Sequence, residues 1–585
     1  MLKQQANAMI FKRINSLLAQ VPTLADRHPW TAFGILATLM LLYQMPAVVC
    51  GLDMCDTGFY LTFFDNIFTR PGTVEYNFMY YASGLVGGLV RMALPGIGIV
   101  GMRVAGMLLV VAAAAVAFAS LRRTVGTTAT LAGLAMAIMC YAPAVLALNH
   151  DILSVLLYAT LIGLMLRGLQ SGSTWLVAAS GLVAGVNVFV RTPNVVAVAL
   201  AFAPALSAFY NGGSARRAAG QAATFVGAML AGMGLMVALM LALGHLELFC
   251  SNLRDLRSIS ADADSSHNVA FMIAVQLKFY AKAVWALAKF GCVAAVWCAA
   301  RRWVKQPLLR AAALAACLGA AAWIMARMPQ VMPVWGMCVS GCAWAIATRC
   351  SADRKMAAWL GLFMLLAFPL GSDNGAINNG SLIAMTAAPV AMNLWGRRPL
   401  APFVAVLVVC CAARMIGGDL YFERGPVWQK TATIGSDRTR LLHTSPERAA
   451  AINAMLKGTA NYLAPGDTLM AFGSIPMVNY LTRTCPHIGC SWPELLSPSM
   501  LSDKLNASPT RPLILRQKFS TIGEVWGAPS EARLRSYDMH NAYMNDKKLD
   551  IINHFIAEND YRPIYSDRYF TLLAPPAWIA AHRGR

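Results

Sequence analysis

The residues with most to explain are carboxylates placed where the chain is otherwise apolar. Asp53, Asp56 and Asp65 fall within GLDMCDTGFYLTFFDNIF, directly after a long apolar run. Asn149, His150 and Asp151 sit between two further apolar runs in PAVLALNHDILSVLLY, with no other polar residue nearby. An ionisable side chain at a membrane boundary is expensive, and a functional reason is the default expectation. Asp53 and Asp65 read comfortably as solvated loop acids. Asp56 does so less well, because the adjoining GFY and the later VEYNFMYY build an aromatic wall beside it. Asp151 has a bland account as a helix N-cap and a sharper one as a carboxylate facing the same cavity as Asp56. Two such acids, with His150 beside them, could activate a hydroxyl or hold a divalent cation.

Cations form the second group. Arg191 in GVNVFVRTPNVV is flanked by apolar residues, and Pro193 then interrupts the helix. An arginine held at such a break suits a lipid phosphate, whose oxygens its fork matches; snorkelling to the headgroups is the alternative. Lys278, Lys282 and Lys289 share roughly one helix face by their spacing and offer a second cationic surface. The loop GSDNGAINNGS (371–381), with Asn374 near its start, is rich in hydrogen-bonding side chains and reads as a sugar-pocket lining or a turn. Most of the 14 cysteines lie in apolar runs, where Cys acts as a small hydrophobe. Cys485 and Cys490, in CPHIGC, are expected to form a local disulfide. A metal site with His487 is the rival, and a poor one, since no second ligand cluster accompanies it. Cys50 and Cys55 offer a further possible pair.

The elements that must position these residues are apolar helices. Of 585 residues, 58% are hydrophobic and only 13% charged, against roughly 25% charged in soluble domains. The composition requires an integral membrane protein. Runs of about 20 apolar residues mark spans, which we place at 31–50, 103–121, 126–146, 152–167, 173–190, 193–210, 221–243, 280–299, 308–326, 331–348, 357–371, 380–396 and 400–417, about thirteen in all. A basic lead-in (1–30) precedes them, and a large first outer loop (51–102) follows the first.

Charge sets the expected orientation. With the N-terminus cytoplasmic, every inner loop carries Lys or Arg, as the positive-inside rule requires. Only Asp26 and Asp353 of the thirteen acids before residue 420 then fall inside. The formal charge of +21 is this bias, and no nucleic-acid-binding motif accompanies it. An odd span number places residues 420–585 outside. That tail holds 19 Lys+Arg and 14 Asp+Glu, close to a soluble composition. Its alternating patterns, a helix at 445–463 capped by Ser445, a strand opening 468–482, a short strand at 511–517 and helix–strand–turn–strand over 547–575, predict a small α/β domain.

The order of these features resembles the GT-C superfamily of membrane glycosyltransferases, in the branches that include protein O-mannosyltransferases and lipid A aminoarabinose transferases. The resemblance covers most of the chain. It rests on Asp56 after the first span with aromatics following, on RVAGMLLVVAAAAVAFASLRR, on Asp151 opening the fourth span in NHDILSVLLYATLIGLMLR, and on GLVAGVNVFVRTPNVVAVALAF with a basic residue before proline. GSIPMVNYLTRTCP and YSDRYFTLLAP in the tail are similar to outer-domain segments. One departure is that Asp56 is followed by Thr57 where the family has an acidic pair, which leaves Asp53 a rival for the base.

The resemblance implies a GT-C-like fold with a C-terminal extracytoplasmic α/β domain. It also implies a sugar moved from a polyprenyl-phosphate donor to a hydroxyl of a lipid, glycan or protein acceptor. Asp56 would be the base, and Asp151 would orient the acceptor or, with Asp56, hold a divalent cation. Arg191, with Lys278 and Lys282, would neutralise the leaving phosphate. A polysaccharide polymerase or ligase using Arg254 and Arg257, a polytopic transporter, and a scaffold with an outer domain are the rivals. A bacterial inner membrane is the expected setting.

Overall fold

The computed structural model describes residues 24–141, 146–262, 265, 267–377, 379–520, 526 and 543–582. Most of the expected N-terminal lead-in therefore lies outside the described residues. Among those described, seven helices are long and apolar enough to cross a membrane by length and composition: Pro29–Val49, Gly98–Val125, His150–Ser171, Thr192–Asn211, Ala215–Ala242, Val269–Trp303 and Pro307–Ala326. Four shorter apolar helices accompany them, Thr127–Met139, Thr174–Val188, Val331–Ala347 and Ala401–Gly417. Ala352–Ala367 and Ala387–Trp395 are helical as well, so helix occurs in each of the expected apolar runs. The short ones fall below the roughly 20 residues that a perpendicular span needs. The 380–396 run shows why: it is divided into a 3-10 turn, Gly380–Ala384, and the helix Ala387–Trp395.

The segment after the first helix and the C-terminal domain meet at one end of this bundle. Val49 O accepts a hydrogen bond from His443 N at 2.7 Å, and Gly51 N donates to His443 O at 2.8 Å. Residues 50 and 443 thus share an end, and the chain between them crosses the bundle an even number of times. The turn out of Pro29–Val49 is fixed by Arg103, fully buried on Gly98–Val125. Its guanidinium donates to Val48 O, Cys50 O and Gly51 O at 3.3, 3.2 and 2.8 Å and lies 3.6 Å from the Tyr421 ring centroid. The carbonyls at a helix C-terminus lack intrahelical partners, and this arginine supplies them.

The first loop folds as a helix, Asp56–Asn66, a kinked 3-10 segment, Pro71–Tyr80, and a second helix, Tyr81–Ala93. The first of these packs on the domain helix Met477–Thr482 so closely that a side chain at Gly58 would stand 2.2 Å from the Met477 nitrogen. The domain carries five strands, β1 (Thr468–Phe472), β2 (Cys485–Pro486), β3 (Leu513–Gln517), β4 (Arg562–Ser566) and β5 (Phe570–Ala574), in the order β2-β1-β3-β5-β4. β1 is parallel to β2 and β3, while β5 runs antiparallel to β3 and β4. Ser445 caps Pro446–Thr459 as expected, its hydroxyl accepting from Arg448 N at 3.4 Å.

Candidate functional site

An open cavity of about 120 Å³ lies where the first loop, the bundle and the C-terminal domain converge. Asp56, Phe59 and Tyr60 reach it from the first loop helix. Tyr76 and Tyr80 come from the 3-10 segment, His150 and Asp151 from the start of His150–Ser171, and Arg191 from the break after Thr174–Val188. The loop at 371–381 contributes Asp373 and Asn379, and the C-terminal domain contributes Trp492 and Leu495.

Asp56 stands at the first position of its helix, where a negative charge is favoured by the helix dipole. Among the described residues no donor reaches its carboxylate. Burial pushes that carboxyl well above the usual carboxylate range, and the charges of Asp53, Asp373 and Asp151 push it the same way. An acid so placed takes up a proton far more readily than a solvated one. Asp53 is elsewhere: it is fully buried, and its oxygens accept from Cys55 N at 2.8 Å and Thr57 N at 2.6 Å. It therefore ties down the start of the helix that presents Asp56, and it does not line the cavity.

Asp151 is not the helix cap. Asn149 fills that position, its side chain accepting from Ile152 N at 2.9 Å. This frees Asp151 to point at Arg191 Nε, 3.5 Å away, and at His150 Nε2, 3.3 Å away. Its second oxygen accepts from Asn379 Nδ2 at 2.9 Å. His150 is held on both sides, by Tyr60 Oη against Nδ1 at 2.6 Å and by the Tyr80 ring stacked at 4.1 Å. The aromatic wall expected beside Asp56 thus also grips the histidine.

Arg191 is 4% exposed. It donates through Nη1 to Phe368 O at 2.7 Å and through Nη2 to Leu370 O at 3.4 Å. Nε lies at ion-pair distance from Asp151 without a hydrogen bond, so among the described residues two of its five N–H groups are hydrogen-bonded. The break that places it is locked by a buried network. Asn194 Nδ2 donates to Ser154 Oγ at 2.6 Å and to Asn187 O at 3.0 Å, and Ser154 Oγ donates to Asn187 Oδ1 at 2.8 Å.

Other expected residues fall elsewhere. Lys278 and Lys282 do share a helix face, but the buried face of Val269–Trp303 carries Gln276, Phe279, Ala283 and Ala286. The lysines are exposed and absent from the cavity wall. Asn374 turns inward on its own loop, accepting from Ser372 Oγ at 3.2 Å, and Asp373 and Asn379 of that loop face the cavity in its stead. Arg254 and Arg257 are exposed and do not line it. The expected Cys485–Cys490 disulfide is not formed, nor is one between Cys50 and Cys55. Cys485 Sγ accepts from Arg70 Nη1 at 2.7 Å, whereas Cys490 Sγ donates to Trp492 O at 3.2 Å, so the two thiols serve different neighbours.

Asp373 and Trp492 escaped the sequence reading. The first lay in a loop already singled out for its amides, while nothing local distinguished the second. No group of three or more His, Cys, Asp or Glu arranged to hold a metal ion occurs among the described residues. Asp151, already paired with Arg191, is poorly suited to share a divalent cation with Asp56.

No known protein family matches the sequence, and no curated protein does. Among solved structures, the chain is similar to ArnT from Cupriavidus metallidurans bound to undecaprenyl phosphate, at 12% identity and a TM-score of 0.40 over 93% of this chain and 98% of that one. It is similar to the same protein in the apo state at 11% identity and a TM-score of 0.37, over 93% and 97% of the two chains.

Proposed function

We propose that the chain is an integral membrane glycosyltransferase of the GT-C type that moves a sugar from a polyprenyl-phosphate donor to an acceptor hydroxyl. The observation that carries this reading is Asp56: a carboxylate without a hydrogen-bond donor among the described residues, in an aromatic-lined cavity that it shares with the Asp151–Arg191 pair. Its raised affinity for protons suits a general base.

In this mechanism the acceptor hydroxyl gives its proton to Asp56 as its oxygen bonds to the anomeric carbon. The bond from that carbon to the phosphate oxygen breaks, its electron pair leaves with the polyprenyl phosphate, and the configuration inverts. Arg191 pairs with Asp151 and presents its charge to the departing phosphate, stabilising charge where it develops. Tyr60 and Tyr80 keep His150 in one orientation beside the acceptor. Trp492 and Leu495, from the C-terminal domain, complete the cavity wall.

We read the cavity's end of the bundle as extracytoplasmic, with the N-terminus cytoplasmic and a bacterial inner membrane as the setting; the basic bias of the expected inner loops supports this. The domain division follows the same reading, with membrane residues to 419 and an extracytoplasmic domain from 420.

The test is hydrolysis and transfer with a panel of polyprenyl-phosphate sugars in detergent, comparing wild type with Asp56→Asn. Release of polyprenyl phosphate that is lost in the folded variant supports both class and base. Activity surviving in Asp56→Asn removes the base assignment, and a folded wild type that fails to bind any polyprenyl phosphate removes the class.

A further inference from the structure

A second open cavity, of about 440 Å³, lies on another side of the helix Asp56–Asn66, between that helix and the C-terminal domain. Asp56 and Tyr60 face the first cavity, while Thr62, Asp65, Asn66 and Thr69 face the second. From the domain side come Arg438, Asn479 and Arg483, and Arg70 closes the rim. Nothing in the proposed transfer reaction uses this space.

Its lining is chemically biased. Three guanidinium groups, Arg70, Arg438 and Arg483, face one lining carboxylate, Asp65. That carboxylate is already shared, since Arg91 Nε lies 2.7 Å from Oδ1 and Arg438 Nη1 contacts Oδ2. Arg483 pairs with Asp437 at the exposed edge. Among the described residues Arg70 meets no carboxylate: it donates to Gly466 O at 2.9 Å and to Cys485 Sγ at 2.7 Å. Two polar atoms of lining residues also have no hydrogen-bond partner among the described residues, Thr62 Oγ1 and Asn479 Oδ1, and both residues are 1% exposed. A buried hydroxyl or amide oxygen left unpaired is unfavourable, and a hydrogen-bonding ligand would relieve it.

We infer that this second cavity binds a phosphorylated sugar, with the phosphate on Arg70 and Arg438 and ring hydroxyls on Thr62 and Asn479. Arginine forks suit phosphate oxygens, Asn479 Oδ1 accepts from a sugar hydroxyl, and Thr62 Oγ1 either donates or accepts. Such a group arrives either as a soluble sugar phosphate or as the headgroup of a phosphorylated glycolipid.

The test uses the full chain in phosphatidylcholine nanodiscs, titrated calorimetrically with glucose 1-phosphate. Wild type is expected to bind it, and to bind glucose or inorganic phosphate more weakly. Arg70→Gln should weaken binding about tenfold or more, Thr62→Val should weaken it by a smaller factor, and Asp56→Asn in the first cavity should leave it unchanged. Absence of binding to wild type overturns the inference. So does binding unaffected by both Arg70→Gln and Thr62→Val, or binding lost in Asp56→Asn alone, which would move the ligand to the first cavity. Repeating the titration in nanodiscs containing phosphatidylinositol 4-phosphate separates the sources: competition by that lipid assigns a lipid-borne headgroup, and its absence assigns a soluble one.

Discussion

Removing Arg191 should damage the site more than its single ion pair suggests. Its Nε lies 3.5 Å from Asp151 Oδ1, with side chains 5% and 20% exposed respectively. At an effective dielectric constant of about 20 that separation corresponds to roughly 5 kcal/mol of Coulomb attraction. Desolvation of both ions offsets much of it. Arg191→Met leaves the largely buried Asp151 with His150 and Asn379 as its partners among the described residues, and it takes the Arg191 donors from Phe368 O and Leu370 O. The expected loss is about 3–5 kcal/mol, the usual cost of orphaning a buried charge.

Asp151→Asn should cost less, about 1–3 kcal/mol, because Arg191 keeps both carbonyls and the Phe368 ring at 5.0 Å. The double variant should then recover about 1.5–3 kcal/mol relative to additivity. The assay is equilibrium unfolding in mixed detergent micelles for wild type, both single variants and the double. Additivity within about 0.5 kcal/mol would refute the claim that Arg191 acts by holding Asp151.

Asp56→Asn should lower transfer by roughly 10²–10⁴-fold, the usual contribution of a general base. Because the folded protein raises the proton affinity of Asp56, the stability linked to its protonation is full below the ordinary Asp value of about 4 and is lost as pH rises through the folded pKa. Asp56→Asn should therefore melt higher than wild type at pH 8 and lose that advantage at acid pH; an advantage greater at low pH would contradict the shift. Removing a like charge with Asp373→Asn should move the acid limb of kcat/KM to lower pH, and a limb that stays put or rises argues against Asp56 as the titrating base. Asp53→Ala should destabilise the protein by about 1–3 kcal/mol through two orphaned backbone N–H groups, with Asp53→Asn milder; equal, near-zero effects in unfolding would exclude the anchoring role. Alkylation of denatured, unreduced protein followed by mass spectrometry should label both Cys485 and Cys490, whereas an unlabelled pair would restore the disulfide.

The membrane class, the positions of the apolar helices and the α/β texture of the tail were legible in the sequence, because composition and periodicity act locally. Asp56, Asp151 and Arg191 were legible too, since polar residues at the ends of apolar runs carry a visible energetic cost. The functions of neighbouring polar residues were not. Asp53 and Asp56 differ by three positions, yet one is consumed by backbone N–H groups and the other faces a cavity. Asn149 caps, and so leaves Asp151 available.

What only the tertiary structure decided was direction and company. The spacing of Lys278 and Lys282 places them on one face of a helix, but which face is buried depends on neighbours distant in the chain. Cys485 and Cys490 are close enough in sequence to suggest a bond, yet Arg70 and Trp492 claim their sulfurs. Trp492 reaches the cavity from more than four hundred residues beyond Asp56. Hydrophobic burial chooses the elements from nearby residues alone, whereas a site is assembled by contacts whose partners the local chain does not contain.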